Sequence, residues 1–131
     1  YCTQFMALNY AGVLPDGRPP MHQGAAPVYG GFFGQSSFAT HAIAYARNTV
    51  KAPDLPFEVL APFGCGLQTG AGTIYNTLQP RAGQSVAVIG AGSVGLAALM
   101  AAVDLGAAPV IAVDRVAARL ELATSLGATH A

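Results

Sequence analysis

The sequence predicts an α/β chain whose second half is a parallel strand–helix–strand–helix unit. Three observations carry this. Two short apolar runs read as strands: residues 85–90, which fit a strand buried on both faces, and residues 110–113, closed by Asp114. Each run is followed by a segment with apolar residues three and four apart, the spacing of a helix face. Gly106 and Gly127 close those two segments, and glycine is the residue that most readily takes the left-handed backbone of a helix end. Strand, helix, strand, helix in that order is the pattern of a parallel sheet with crossover helices.

From the N-terminus, residues 1–30 are expected to be irregular. Pro15, Asp16 and Gly17 form a turn signal, and Pro19 and Pro20 follow it. Residues 37–51 carry Phe38, Ile43, Tyr45, Thr49 and Val50 between Gly34 and Pro53, which predicts one or two strands. A short helix is expected over 56–63, after Pro53 and Pro56. Residues 64–78 admit two readings. Gly64, Gly66, Gly70 and Gly72 each disfavour a helix by about 1 kcal/mol relative to Ala, which argues for a loop. Leu67, Ile74 and Leu78 suit a packed helix in which glycines allow close backbone approach. Beyond the first strand, the helix over 93–105 is expected to turn Leu96, Leu99, Met100 and Val103 inward. The helix over 116–126 is expected to bury Leu120, Ala123 and Leu126.

Composition excludes several classes of function. Of the 131 residues, 53% are hydrophobic and 9% charged, against about 25% charged in an ordinary soluble domain. Six basic residues balance six acidic ones, so there is no broad electrostatic footprint for nucleic acid or an anionic membrane. The apolar content is too high for a disordered chain. Cys2 and Cys65 are too few and too far apart for a disulfide-stapled secreted domain, and Thr3, Gln4 and Asn9 interrupt any signal-like apolar run, so a cytoplasmic location is expected. Residues 82–103 are uncharged and long enough to cross a bilayer, but their glycines and their Ala- and Val-rich composition fit a strand, a turn and a helix instead. The chain opens on Tyr1 and stops at Ala131 within a repeating β/α pattern, so it is expected to be an internal stretch of a longer protein.

The sharpest motif is Gly90-Ala91-Gly92-Ser93-Val94-Gly95. It follows a predicted strand, opens a predicted helix, and Asp114 ends the next strand nineteen positions after Gly95. Each position has a mechanical reason. Gly90 permits the tight turn out of the strand. Gly92 lets backbone approach a pyrophosphate. Gly95 lets the helix lie close on the strand. The helix N-terminus offers N–H groups and positive dipole to phosphates. Asp114 suits the adenosine ribose hydroxyls, and its charge would repel a 2′-phosphate, which favours NAD over NADP, while Arg115 and Arg119 pull the other way. A flavin dinucleotide fits the same turn, and a glycine turn that binds nothing is the plain alternative.

Residues 31–131 resemble the zinc-containing medium-chain alcohol dehydrogenases. The stretch from Gly31 through Phe32, Phe33 and Gly34 to Ala39 looks like the strand entering the catalytic core and is closest in wording to aryl- or benzyl-alcohol dehydrogenases. The stretch from Gly64 through Cys65 and Thr69 to Gly72 looks like the family's zinc-cysteine segment, and the glycine turn with Asp114 completes the order. The resemblance implies the end of a GroES-like β-rich catalytic domain over residues 1–66, followed by the first half of a Rossmann dinucleotide-binding domain over 67–131. It implies that Cys65 is a thiolate ligand of the catalytic zinc and that Thr69 lies beside the nicotinamide. It further implies that Val94 packs on the cofactor and that Arg119 lies near the adenosine ribose. Phe32 and Phe33 match substrate-channel positions, where plain core roles serve equally well. Cys2, followed by Asn9 and Gly12, matches the last cysteine of a structural-zinc lobe. The implied cofactors are NAD and Zn, the implied partner is a small alcohol or aldehyde, and the full-length protein is expected to be a homo-oligomer. His22, His41 and His130 lack ligand spacing and are read as structural or surface residues. The rival readings are a zinc-independent medium-chain quinone reductase and a non-catalytic nucleotide-binding module.

Overall fold

The computed structural model describes residues 3–31, 33, 40–42, 44–46 and 49–131. The chain divides into two compact units, residues 1–52 and 53–131. That boundary lies upstream of the division at residue 66 drawn from the motifs.

The first unit is less irregular than its turn-rich sequence suggests. A helix α1 spans Phe5–Tyr10, and Asn9 Nδ2 donates back to the Phe5 carbonyl at 2.7 Å. The turn signal holds: Gly17 N–H donates to the Leu14 carbonyl at 2.8 Å, with Gly17 at φ +83°. The Asp16 carboxylate ties the turn by accepting from the Arg18 backbone N–H and from Arg18 Nε. Strands β1 (Met21–Gln23) and β2 (Ala26–Val28) then pair antiparallel around Gly24 at φ +61°. Glycine first in a two-residue hairpin loop is the arrangement of a type II′ turn. Three-residue strands, one of them containing Pro27, carry no periodicity, so this hairpin exists through its turn and its pairing. The strands expected over 37–51 do not form among the described residues of that stretch. Thr49 instead bonds locally, N–H to the Ala46 carbonyl and Oγ1 to the Tyr45 carbonyl, which satisfies the backbone without a ladder. Phe38 and Ile43 lie outside the described residues.

The second unit follows the predicted order. Helix α2 covers Phe57–Leu60 and tightens into a 3-10 turn over Ala61–Gly64. Residues 66–78 are helical: α3 spans Gly66–Gly72 and loosens into a π-helical turn over Thr73–Leu78, where Gln79 N–H reaches the Ile74 carbonyl. Parallel strands β3 (Val86–Ile89) and β4 (Val110–Val113) pair Val86 with Val110 and Ile89 with Val113. Helix α4 spans Ser93–Asp104, and α5 spans Ala117–Ser125. Both helices end in the full two-bond glycine cap. After α4, Gly106 N–H bonds the Val103 carbonyl and Ala107 N–H the Ala102 carbonyl. After α5, Gly127 and Ala128 repeat the pattern on Thr124 and Ala123.

Why α3 is a helix despite its glycines is visible at Gly70. A Cβ there would overlap the Val94 carbonyl oxygen and stand 2.9 Å from Ala97 Cβ. The glycines that weaken the helix locally are what let it lie against α4.

Two expectations about burial are corrected. The strands are covered on one face only: Val86, Val88, Val110 and Ala112 are buried, whereas Ile89 is 87% and Val113 49% exposed. Within this chain the helices pack on a single side of the sheet. On α4, Met100 and Val103 are partly exposed, and the buried set is Ala97, Leu99, Ala101 and Ala102. The helix is apolar all round, so periodicity could not choose its inner face, and small alanines allow the closer approach to sheet and α3. On α5, Ala123 is buried, with Leu120 and Leu126 packed against the core as expected. A further ladder element begins at the chain end, where Ile111 and His130 form a parallel bridge and Ala112 N–H donates to the His130 carbonyl at 2.8 Å.

Candidate functional site

The site grows from the carboxyl ends of β3 and β4, where open parallel sheets present their ligand crevice. Gly90 N–H donates to the Val113 carbonyl at 2.7 Å, which carries the ladder one step past β3. Gly90 then breaks away at φ +98°, a conformation costly for a residue with a Cβ. Gly92 caps α4 in extended backbone, and the first intrahelical bond runs from Leu96 N–H to the Gly92 carbonyl at 2.8 Å. By helix geometry, the N–H groups of Gly92, Ser93, Val94 and Gly95 therefore have no intrahelical acceptor.

The three glycines differ in what surrounds them. A Cβ on Gly95 would overlap the Gly90 carbonyl oxygen and lie 3.2 Å from Val88 Cγ1, so Gly95 sets the helix-to-strand distance. A Cβ on Gly92 would meet nothing within 4 Å. Gly95 thus serves packing, and Gly92 faces open space where a ligand's phosphates would come.

Asp114 is built into this turn. Oδ2 accepts the Ala91 N–H at 2.7 Å, and Oδ1 accepts the Val116 N–H at 2.9 Å. Its side chain is only 8% exposed, and Arg119 Nη1 stands 3.7 Å from Oδ2. The Val116 N–H first, then the Ala91 N–H, hold the carboxyl below the usual carboxylate range, with Arg115 N–H and the Arg119 charge adding to them against the opposing effect of burial. A carboxylate so held is ionised at neutral pH and keeps lone pairs for hydroxyl donors. Sequence reasoning placed Asp114 at a strand end. It did not foresee that Ala91, a buried residue inside the motif, fixes the carboxylate through its N–H.

Cys65 stands at the N-terminus of α3 as an exposed free thiol, and its carbonyl accepts the Thr69 N–H at 2.9 Å. The next residue touches the glycine turn: a Cβ on Gly66 would lie 3.3 Å from Ser93 Oγ and 3.9 Å from Val94 Cγ2. Cys65, Thr69 and Val94 are thereby gathered where the first turns of α3 and α4 meet, with Val94 partly exposed. The Gly66–Ser93 approach is a second feature that sequence did not signal. A catalytic zinc needs three protein ligands, and among the described residues no three His, Cys, Asp or Glu side chains gather. Cys65 is one donor, and the described residues do not add the two others such a centre needs.

Phe33 lies in the first unit at φ +56° with its ring half exposed. Phe32 and Cys2 lie outside the described residues. No helix among the described residues is long and apolar enough to cross a membrane.

The family model described as "Alanine dehydrogenase/PNT, C-terminal domain" matches residues 60–131. The chain is 48% identical to geraniol dehydrogenase of Castellaniella defragrans over 99% of its own length and 35% of the relative's. Among solved structures it is similar to the alcohol dehydrogenase zinc-binding domain protein from Burkholderia ambifaria, at 50% identity and a TM-score of 0.89, covering 99% of this chain and 36% of that one. It is likewise similar to benzyl alcohol dehydrogenase from Acinetobacter calcoaceticus, at 47% identity and a TM-score of 0.86, covering 99% and 35%. The chain thus spans about a third of the length of the relatives it matches.

Proposed function

The chain belongs to the alanine dehydrogenase/PNT C-terminal domain family over residues 60–131 and, over nearly its whole length, to the zinc-containing medium-chain alcohol dehydrogenases; on that premise we propose that the protein containing it transfers hydride between an aryl alcohol and NAD. The observation that carries the proposal is the junction of two features: the glycine turn with its anchored Asp114, and the Cys65 segment laid against that turn through Gly66 and Ser93.

In this reading the N–H groups of Gly92, Ser93, Val94 and Gly95 receive the pyrophosphate of NAD. Asp114 accepts from the adenosine ribose hydroxyls, Arg119 flanks the same ribose, Val94 packs on the cofactor, and Thr69 lies beside the nicotinamide. NAD, when bound, supplies the hydride acceptor, and the protein supplies position and electrostatics. Cys65 is one zinc ligand of the full-length protein and Cys2 one ligand of a structural zinc. Zinc, when bound, would supply Lewis-acid chemistry at the alcohol oxygen. Phe32 and Phe33 line the path of the alcohol. The functional division is proposed at residue 66, with the catalytic part before it and the nucleotide part after it. A homo-oligomer in the cytoplasm completes the reading.

Cofactor choice tests it. Asp114 is held ionised, so a 2′-phosphate would meet a fixed negative charge. Calorimetric titration of the full-length protein is expected to give clearly tighter binding of NAD than of NADP, with the preference reduced in Asp114→Asn. Equal affinities in the wild type would overturn the assignment of Asp114. With benzyl alcohol, NADH formation by the full-length protein is expected and by the 131-residue chain alone is not. Zinc analysis of the full-length protein separates this reading from a zinc-independent quinone reductase.

A further inference from the structure

Three aromatic rings of the first unit close a triangle. Phe5 and Tyr10, one at each end of α1, have ring centroids 5.9 Å apart at 64°. Phe33 meets Tyr10 at 5.4 Å and 65°, and Phe5 at 6.3 Å and 67°. All three contacts are edge-to-face, the arrangement that sets the positive edge of one ring on the negative face of another. Phe33 is also one of two described non-glycine residues with positive φ, at +56°. That backbone is unfavourable for a bulky side chain, and such conformations persist where the surroundings over-determine them. Among the described residues, the rings that meet Phe33 are the two of α1. Within this chain, Phe5 is 44%, Tyr10 48% and Phe33 51% exposed.

We propose that Phe5 and Tyr10 are positioning residues that hold Phe33 in its left-handed backbone with its ring set edge-on to theirs, and so determine the preference of the full-length enzyme for alcohols carrying a flat aromatic group. The proposal rests on the reading of Phe33 as a substrate-channel residue. Phe5 and Tyr10 act through Phe33. An aromatic alcohol finds a fixed ring to pack on, whereas ethanol has no ring to place and is indifferent to it. The Tyr10 hydroxyl has no part in this, so a phenyl ring serves as well.

The test is the ratio of kcat/KM for benzyl alcohol to that for ethanol, measured in the full-length holoenzyme. Tyr10→Ala and Phe5→Leu are expected to lower the ratio by roughly tenfold, through a raised KM for benzyl alcohol with ethanol turnover unchanged. Tyr10→Phe retains the wild-type ratio, and so does Tyr29→Ala, which removes an exposed tyrosine outside the triangle. Phe5→Leu keeps apolar bulk in α1 and carries the test if Tyr10→Ala does not fold. A wild-type ratio in Tyr10→Ala and Phe5→Leu, together with a lowered ratio in Phe33→Ala, overturns the positioning role alone. A wild-type ratio in Phe33→Ala overturns the reading of Phe33 and the proposal with it. A parallel fall of kcat/KM for both alcohols assigns the triangle to stability and likewise overturns the proposal.

Discussion

Gly70→Ala sets two physical effects against each other at one atom. Considered as a helix position, Gly70 lies inside α3, and replacing glycine by alanine in a helix interior gains about 1 kcal/mol. Considered in the fold, the new Cβ would overlap the Val94 carbonyl oxygen and sit 2.9 Å from both Ala97 Cβ and the Ala98 nitrogen. Two of these three obstacles are backbone of α4 and cannot swing aside as a long side chain would. Overpacking a close-packed contact costs about 1–3 kcal/mol, and a backbone obstacle belongs at the upper end. The net expectation is a loss of about 1–2 kcal/mol, or a fall in Tm of about 5–10 °C for a unit of this size. Gly72→Ala is the internal control: it lies in the same helix, and its Cβ would meet only Asn76 Nδ2, at 3.6 Å. That variant is expected to gain up to about 1 kcal/mol. Thermal and urea unfolding followed by circular dichroism read both changes. If Gly70→Ala were as stable as Gly72→Ala, the close approach of α3 to α4 would be refuted, and with it the route by which Cys65 is brought to the glycine turn.

Two further outcomes follow from the site. Gly95→Ala is expected to push α4 off β3, because its Cβ would overlap the Gly90 carbonyl oxygen; stability should fall by about 1–3 kcal/mol and NAD affinity of the full-length protein should drop, read by nucleotide fluorescence titration, with unchanged affinity counting against the turn as the cofactor site. Asp114 makes stability depend on acid: its folded carboxyl lies below the ordinary value of 3.8, so its contribution is present above that pH and is lost as pH falls through the lower folded value. The acid limb of a stability–pH curve is therefore expected to be shallower in Asp114→Asn than in the wild type, and superimposable limbs would show that the carboxylate is not held as described.

Local chemistry was enough to predict much of the second unit. The runs at 86–89 and 110–113 are short, apolar and rich in Val and Ile, which predicted strands, and the glycines at 106 and 127 mark helix ends because few other residues accept their backbone. The glycine turn was readable because each glycine has a separate mechanical duty at a fixed spacing. The first unit was less legible. A three-residue hairpin carries no periodicity, and the Phe5–Tyr10–Phe33 triangle joins residues far apart in sequence by ring contacts alone.

What the sequence by itself determined is therefore the order of strands and helices in 85–126, the nucleotide turn, and the pairing of that turn with Asp114, since all of these follow from residue type and spacing. What only the tertiary structure decided concerns faces and distances. It chose Ala97, Leu99, Ala101 and Ala102 of α4 over Met100 and Val103, made a helix of the glycine-rich 66–72, left one face of the sheet uncovered within this chain, and bound Asp114 to the Ala91 N–H. In an all-apolar helix or a glycine-rich segment the local preferences are weak or opposed, so the close contact of one backbone with another settles the outcome.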